Sequence, residues 1–371
     1  MAKIIASVTN DLSTDQRLHK VCTTLLAAKY EVLLVGRKLR KSPDIDRPYE
    51  TKRLRLLFNS GFLFYAFYNI RLFFFLLSKR CDIILANDLD TLLACYAAAK
   101  IKGVPVIYDT HEYFCGMPEL ANKPFTRSVW RGIESYIFPK LRTVITVNES
   151  VANLYKNEYN KDLIVIKNYP LAIEPTSLKS KEELGIPTET RLILYQGAVN
   201  VSRGLEEAVE AMQWIDNAVL VIVGGGNAFR NLEKMVASQA HSDRIILKGW
   251  LPFAELIHFT MNADVGLAIE KDDSLNYKYS LSNKVFDYIQ SELPILSSRL
   301  VENEQIMARW EIGAFIDNHE PKHIGEKLTY MLSDETARSI WAKNLIAAKK
   351  AYSWEHQKDE LLNAYRDALV Q

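Results

Sequence analysis

Lys284, Asp287 and Ser291 are spaced three or four residues apart in the segment YSLSNKVFDYIQSELPIL. On an α-helix this spacing places their polar side chains on one face. Ser282 and Asn283 precede them, so the predicted helix begins with polar groups and a cation. A helix N-terminus and a lysine favour an anion such as a diphosphate, and an acid one turn later can accept from hydroxyl groups. The segment therefore predicts a sugar-nucleotide site; the alternative is a capped amphipathic helix with a surface ion pair.

Two turns in the same half of the chain contain glycines, and the first of them also carries a cation. In YQGAVNVSRGLEEAVEA, Gly197 ends a predicted strand and Arg203 stands before the next helix. An arginine there can hold a phosphate with two parallel hydrogen bonds. In VIVGGGNAF, Gly224 and Gly225 would let the backbone approach a ligand closely. A surface arginine beside a helix start and glycines with a purely structural role are the alternatives.

His111 follows the predicted strand VPVIYD directly, in the segment YDTHEYF. A histidine in such a loop can orient a substrate hydroxyl or transfer a proton. The alternative is a structural histidine held by hydrogen bonds. Its position after a strand favours the functional interpretation.

Two patterns resemble metal ligands without predicting a metal site. Asp88 and Asp90 form an isolated Asp-x-Asp, which is frequent by chance. His319 and His323 have helical spacing, but Pro321 between them indicates the start of a helix. We therefore expect neither a metal nor a cofactor.

The elements that position these residues are short apolar runs alternating with helical patterns. Such continuous runs predict parallel sheets covered by helices on both faces, an α/β architecture of two doubly wound domains. Ligands bind beyond the carboxyl ends of the strands in such sheets. The length also favours two domains, because 371 residues are more than a single domain usually contains. The predicted strands are KIIASV, EVLLVG, CDIILA, VPVIYD, TVITV, LIVIK, LILYQG, AVLVIVG, RIILKG, ADVGLAI, LPILSS and GAFI.

A linker and an average composition complete the outline. Three prolines and mixed charge mark residues 168–190 as the linker. Lys and Arg number 46 and Asp and Glu 45, so no nucleic-acid partner is indicated. Four scattered cysteines and an N-terminus without a signal-peptide pattern favour a cytoplasmic protein.

The aromatic segment Leu56–Leu77 permits a contact with a membrane. It is about long enough to span a bilayer, but Arg71 and other polar residues interrupt it. Basic residues flank it, with eight Lys or Arg against three Asp or Glu in residues 37–55. One interpretation is a strand and a helix packed on a sheet; the other adds peripheral contact of residues 56–80 with an anionic membrane.

Together the motifs resemble glycosyltransferase family 4. The resemblance rests on the order and spacing of NDLDTLLA, YDTHE, TVNES, NYP, the glycine turns quoted above, LKGWLP, SLNYKYSLSNKVFDYI and SWEHQKDELLNAY. It implies the GT-B fold, in which two Rossmann-like domains face each other across a cleft. The first domain would comprise residues 1–170 and bind the acceptor, the second would comprise 171–352 and bind the donor, and a C-terminal helix in 353–371 would cross back to the first.

The resemblance also implies an activity, the transfer of a sugar from a nucleotide-diphosphate donor with retention of configuration and without a metal ion. The acceptor would be a saccharide or a lipid-linked saccharide, in bacterial surface-polysaccharide or glycolipid assembly. Arg203 and Lys284 would hold the diphosphate, Asp287 the ribose hydroxyls, and His111 would lie near the transferred sugar. Tyr279 stands where the family has the first acid of Glu-x7-Glu, so Glu270 or Lys271 is a candidate substitute. The residues expected to contact the donor are Gly197, Arg203, Gly224, Gly225, Leu251, Ser282, Asn283, Lys284 and Asp287.

Two other functions stay open at this point. A nucleotide-sugar 2-epimerase has a similar two-domain scaffold and would change the donor sugar without any acceptor. A non-catalytic binding protein could retain the fold after loss of the first acid. Donor turnover separates the three functions.

Overall fold

The structure is a computed structural model that describes residues 1–13, 15–40, 42–121, 123–172 and 177–370. The chain divides into two compact units. Unit 1 comprises residues 1–168, 274–276 and 357–371, and unit 2 comprises residues 169–273 and 277–356. The division after Asn168 lies within the segment expected to be a linker, of which residues 173–176 are outside the described part.

The strands form two sheets in which every pairing is parallel. In unit 1 they are β1 (Lys3–Asp11), β2 (Glu31–Lys38), β3 (Glu50–Arg55), β4 (Ile83–Asn87), β5 (Val106–Thr110), β6 (Thr143–Thr146) and β7 (Ile164–Val165). In unit 2 they are β8 (Arg191–Gln196), β9 (Ala218–Val223), β10 (Ile245–Leu247), β11 (Val265–Ala268), β12 (Ile295–Ser297) and β13 (Gly313–Phe315).

Helices connect most of the consecutive strands and cover the sheets. In the first half they are α1 (Gln16–Ala27), α2 (Gly61–Ser78), α3 (Leu89–Lys102), α4 (Pro118–Ala121), α5 (Pro124–Ile137) and α6 (Glu149–Tyr159). Those of the second half are α7 (Leu205–Ala211), α8 (Phe229–Ala237), α9 (Phe253–Asn262), α10 (Leu275–Tyr279), α11 (Asn283–Gln290), α12 (Val301–Trp310), α13 (Pro321–Ser333), α14 (Glu335–Ala351) and α15 (Glu355–Val370).

The strand order of both sheets confirms the doubly wound architecture. The sheet of unit 1 has the order β3-β2-β1-β4-β5-β6-β7, and that of unit 2 has β10-β9-β8-β11-β12-β13. The order reverses beside β1 and β4 in unit 1 and beside β8 and β11 in unit 2. Crevices for ligands form at such reversal points, beyond the carboxyl ends of the strands. The loops after these four strands are therefore the places to look for sites.

All twelve strands predicted from apolar runs are present, and the described residues contain one further strand that the sequence analysis missed. β3 has the sequence ETKRLR, which carries no apolar run, because it is an edge strand that pairs only with β2. Only Leu54 of β3 is buried. An edge strand with exposed charged side chains gives no signal in a hydropathy pattern.

The aromatic segment forms a helix with one buried stripe, and the strand expected at its start is absent. β3 ends at Arg55, and α2 begins at Gly61. Phe64, Tyr68, Leu72 and Leu76 recur every four residues and pack into the core of unit 1. Of the helices described, only α2 has the length and apolar composition of a membrane span, a criterion that core helices of water-soluble proteins also meet.

Candidate functional site

The centre of the candidate site in unit 2 is a buried carboxylate, Glu270, that contacts two cations. Glu270 follows β11 and is only 1% exposed. Nη1 of Arg203 lies 3.2 Å from its Oε1, and Nζ of Lys284 donates a short hydrogen bond to the same oxygen. The hydroxyl of Ser282 also donates to Oε1, at 3.3 Å. Three residues that the sequence associated with a diphosphate thus meet on one oxygen atom.

This cluster carries one net positive charge and has unused hydrogen-bonding atoms. Nε of Arg203 and Oε2 of Glu270 are buried and have no hydrogen-bond partner. The guanidinium of Arg203 lies 4.7 Å from the ring of Tyr277, and Nζ of Lys284 lies 4.8 Å from the ring of Tyr195. Aromatic faces hold both cations in place without neutralising them. A buried unpartnered donor beside an excess positive charge suits an anionic ligand.

The pKa values of the cluster reflect burial opposed by pairing. Burial raises the pKa of Glu270, but Lys284 and Arg203 outweigh it, so the net pKa is lowered. Burial lowers the pKa of Lys284, and Arg203 lowers it further; Glu270 opposes both effects. Lys284 is 7% exposed, so its charge depends on the carboxylate beside it. The interpretation of Lys284 as part of a surface ion pair is therefore wrong.

The local sequence explains why Ser282 faces Glu270. Ser282 is the N-cap residue of α11, but its side chain makes no capping hydrogen bond. Val285 and Tyr288 are buried in the core of unit 2, which fixes the rotation of the helix. The opposite side of the first turn then faces the end of β11, where Glu270 lies. Asn283, the first residue of the helix, is exposed.

Asp287 belongs to a second polar group on the same helix. Nε2 of Gln196, the last residue of β8, donates to Oδ2 of Asp287 at 2.9 Å. The hydroxyl of Thr260 donates to Oε1 of Gln196 at 2.8 Å. The sequence predicted Asp287 but missed Gln196 and Thr260. The position of Gln196 at the end of a buried strand was the available signal.

The glycines allow two loops to pack directly against each other. A Cβ atom at Gly224, where φ is +144°, would lie 1.8 Å from the carbonyl oxygen of Gly197. A Cβ at Gly225 would lie 2.6 Å from the indole nitrogen of Trp250. Gly197 itself has φ +125°, and a Cβ there would lie 3.5 Å from Cε of Lys284. These contacts give each glycine a structural role and bring Gly197 beside the cluster.

Two other positions lie outside this cluster. Leu251 is half-buried and packs against the core of unit 2. Tyr279 ends α10, and no acid lies there. Donor contacts by Leu251, Asn283, Gly224 and Gly225 stay predictions. Among the described residues, no group of three or more His, Cys, Asp or Glu could hold a metal ion.

His111 lies in unit 1, after β5, between two carboxylates. Its Nδ1 is 3.2 Å from Oδ2 of Asp88, and its backbone N–H donates to Oδ1 of the same residue at 3.0 Å. Its Nε2 is 3.5 Å from Oδ2 of Asp109, which Arg17 also pairs with at 2.9 Å. Burial alone would lower the pKa of His111, but Asp88 and Asp109 raise it well above its ordinary value. The two carboxylates therefore favour the protonated imidazole, which carries an N–H donor at each ring nitrogen.

Family models match both halves of the chain. One described as "Glycosyltransferase Family 4" matches residues 16–168, and one described as "Glycosyl transferases group 1" matches residues 177–348. A D-inositol 3-phosphate glycosyltransferase from Xylanimonas cellulosilytica is 24% identical over 198 residues, which cover 51% of this chain and 45% of the relative. The chain thus spans about half the length of the curated relatives it matches.

Solved structures resemble the whole chain. Sucrose-phosphate synthase from Thermosynechococcus elongatus has a TM-score of 0.80 at 16% identity and covers all of both chains. HepE from Anabaena, solved in complex with UDP-glucose, has a TM-score of 0.75 at 12% identity, with 99% of this chain and 100% of that chain covered. At such low identity these likenesses show the fold alone, and they confirm the expected GT-B fold.

Proposed function

The chain belongs to glycosyltransferase family 4, and on that premise we propose that it transfers a sugar from a nucleotide-diphosphate donor to a hydroxyl acceptor, with retention of configuration. The observation that carries the proposal is the cluster of Arg203, Lys284 and Glu270. Its excess positive charge lies beyond the carboxyl ends of β8 and β11, where open α/β sheets bind ligands. The UDP-glucose complex of HepE, a protein of the same fold, supports a nucleotide-sugar donor.

In the proposed reaction, the bond between the anomeric carbon and the diphosphate oxygen breaks. The acceptor oxygen forms a new bond to that carbon, and the hydroxyl proton leaves with the nucleotide diphosphate. Arg203 and Lys284 stabilise the negative charge that develops on the leaving diphosphate, which gives the site its own cations for this task. Retention follows when the acceptor attacks from the face that the diphosphate leaves. Asp287, held by Gln196, accepts from the ribose hydroxyls.

Unit 1 is proposed to bind the acceptor, with His111 beside the transferred sugar. Because Asp88 and Asp109 keep its imidazole protonated, His111 would donate a hydrogen bond to a sugar oxygen. It would not act as the base that removes the acceptor proton. The proton acceptor in this proposal is the diphosphate oxygen.

The test measures release of nucleotide diphosphate from UDP-, GDP- and ADP-sugars, in the presence of EDTA. Lys284→Met is expected to lower the rate about 10²–10³-fold, because loss of one such group typically costs that much. Lys349→Met is the matched control, since Nζ of Lys349, in the same unit, pairs with Glu292 at 2.9 Å instead. Near-normal turnover by Lys284→Met would contradict the proposal. A donor sugar that is altered in the absence of any acceptor would indicate the epimerase. If the chain neither turns over nor binds any donor, the non-catalytic protein is indicated.

A cellular location at the inner face of the membrane, in surface-polysaccharide or glycolipid assembly, is part of the same proposal. Phe62, Ile70 and Phe74 of α2 are more than half exposed, and Arg71 and Lys79 are exposed beside them. Exposed aromatic and basic side chains on one helix suit an anionic lipid surface.

Flotation with liposomes tests this location. The wild-type chain is expected to float with anionic liposomes at low salt and to be released by high salt. Phe62→Ser combined with Phe74→Ser should remain at the bottom of the gradient. Equal recovery with neutral and anionic lipid would argue against the membrane contact.

A further inference from the structure

Unit 1 contains a cavity of about 430 Å³ that no motif of the sequence had identified. Its walls come from the ends of β1 and β2, from the segments that follow β4 and β5, and from the beginning of α2, all within this unit. The volume is in the range of pockets that hold small molecules. Asp88 and Asp90, which the sequence suggested only as a chance metal motif, both line it.

One side of the cavity offers a buried hydrogen-bond acceptor that lacks a partner. Asp90 is 7% exposed, and the hydroxyl of Thr9 donates to its Oδ2 at 2.5 Å. Its Oδ1 is buried and has no hydrogen-bond partner. Burial and the neighbouring Asp88 raise the pKa of Asp90 to about 7. Because an unsatisfied buried oxygen is costly, a ligand hydroxyl that bonds to it is favoured.

The other side offers donors for an anion. Arg37 lies with its guanidinium 4.7 Å from the ring of Phe64, and its buried Nε has no hydrogen-bond partner. Ser60 and Gly61, at the N-terminus of α2, line the same cavity. Ser60 makes no side-chain capping bond, so the first backbone N–H groups of this 18-residue helix lack that partner. A helix N-terminus and an arginine together suit a phosphate.

Arg37 and Asp90 line one cavity, yet no ion pair joins them in the described part of the chain. We infer that the cavity binds a hydroxyl-bearing ring that also carries a phosphate or phosphodiester group. The phosphate lies against Arg37 and the start of α2, and a ring hydroxyl donates to Asp90. Asp88 and Glu112 also line the cavity and would repel a phosphate, which confines it to the Arg37 side. An uncharged ring would leave Nε of Arg37 without a partner, although its Nη1 donates to the carbonyl oxygen of Asn59 at 3.3 Å.

This inference rests on the proposed function, because such a ring would be the acceptor. The phosphate could belong to a soluble sugar phosphate or to a lipid-linked one. Leu57 and Phe62, beside the cavity-lining residues 59–61, are strongly exposed apolar side chains where a lipid chain could lie. The shared chemistry is the ring with its phosphate, and the experiment separates the two sources.

The experiment measures binding of two probe pairs to the full chain by titration calorimetry: myo-inositol with D-inositol 3-phosphate, and methyl α-glucoside with α-glucose 1-phosphate. The phosphorylated member of at least one pair is expected to bind about 10-fold more tightly, as a charge-assisted hydrogen bond would produce. Arg37→Gln should abolish that preference, whereas Arg40→Gln, which changes an exposed arginine two positions after β2, should not. Asp90→Asn should weaken both members of the pair.

A third probe, a sugar linked through diphosphate to a farnesyl chain, identifies the source. If it binds more tightly than the soluble phosphates, and Leu57→Ser with Phe62→Ser removes only that gain, the acceptor is lipid-linked. If the double variant changes nothing, the soluble source is supported. Three results would overturn the inference. The first is equal binding of phosphorylated and uncharged probes, and the second is an effect of Arg37→Gln no larger than that of Arg40→Gln. The third is the lack of binding of any probe at millimolar concentration.

Donor binding is measured on the same samples, so that the two proposals fail separately. A chain that binds UDP-glucose and shows no Arg37-dependent preference keeps the proposed function and loses the cavity assignment. A chain that binds the phosphorylated probes through Arg37 but neither binds nor turns over any nucleotide sugar keeps the cavity and loses the proposed function.

Discussion

Glu270→Gln tests whether the buried carboxylate holds the two cations of the donor site. The substitution keeps the size of the side chain and removes the charge that Arg203 and Lys284 share at a position only 1% exposed. Removing one partner of a buried ion pair typically costs about 3–5 kcal/mol, because the other charge stays buried without compensation. For a unit of this size the midpoint of thermal unfolding should fall by roughly 6–20 °C.

The pH dependence of that loss follows from the directions of the two pKa shifts. The lowered pKa of Glu270 stabilises the wild type above the carboxylate's ordinary pKa, and this contribution is lost as pH falls through the lowered value. The lowered pKa of Lys284 means that burying its charge destabilises the folded chain at low pH. This destabilisation is lost as pH rises through the lowered pKa toward the ordinary pKa of lysine, because the buried amine then releases its proton. The difference between variant and wild type should thus be largest near neutral pH and smaller on both sides.

Urea unfolding near pH 3, at neutral pH and near pH 10 measures both effects, because the outer values lie below the ordinary pKa of glutamate and about at that of lysine. Glu207→Gln is the matched control, because Glu207 pairs with Lys271 in a less buried contact of the same unit. A pair of that kind contributes about 0–1 kcal/mol. If Glu270→Gln destabilises the chain no more than Glu207→Gln does, the interpretation of the cluster is refuted.

Two further predictions concern single residues of each unit. His111 should be protonated at neutral pH in nitrogen-15 NMR spectra, and Asp88→Asn should lower its pKa. The stability that the raised pKa of His111 supplies is present below the ordinary pKa of histidine and is lost as pH rises through the raised pKa. A neutral ring at pH 7 would contradict the assignment. Gly224→Ala should lower the free energy of unfolding by more than about 2 kcal/mol, because its Cβ would overlap Gly197. The control Gly132→Ala, at an open helical position, should leave the free energy of unfolding unchanged or raise it by up to about 1 kcal/mol. Equal stability of the two variants in urea would show that the close loop packing is not needed.

The sequence by itself determined the twelve strands with apolar runs and the helix starts near the sites, but not the edge strand β3. Parallel strands are buried on both faces, so each central strand is a continuous apolar run that can be recognised without its neighbours. Pro321 marked the start of α13, and the polar pair Ser282 and Asn283 marked the start of α11, although the Ser282 side chain makes no capping hydrogen bond; such signals act within one turn of the chain. The positions of Gly197 and Arg203 after a strand were local in the same way.

Only the tertiary structure decided which charges meet. Glu270 is 14 residues from Lys284 and 67 from Arg203, and the order of strands β8 and β11 brings them together. From the sequence, Asp90 was interpreted only as half of a chance metal motif. Its hydrogen-bond partner Thr9 is 81 residues away in β1, so the sequence near Asp90 does not show this contact. Side chains at the ends of strands carry no periodic signal of their own. Their chemistry depends on which strands the sheet places side by side, and that choice belongs to the packing of the whole unit.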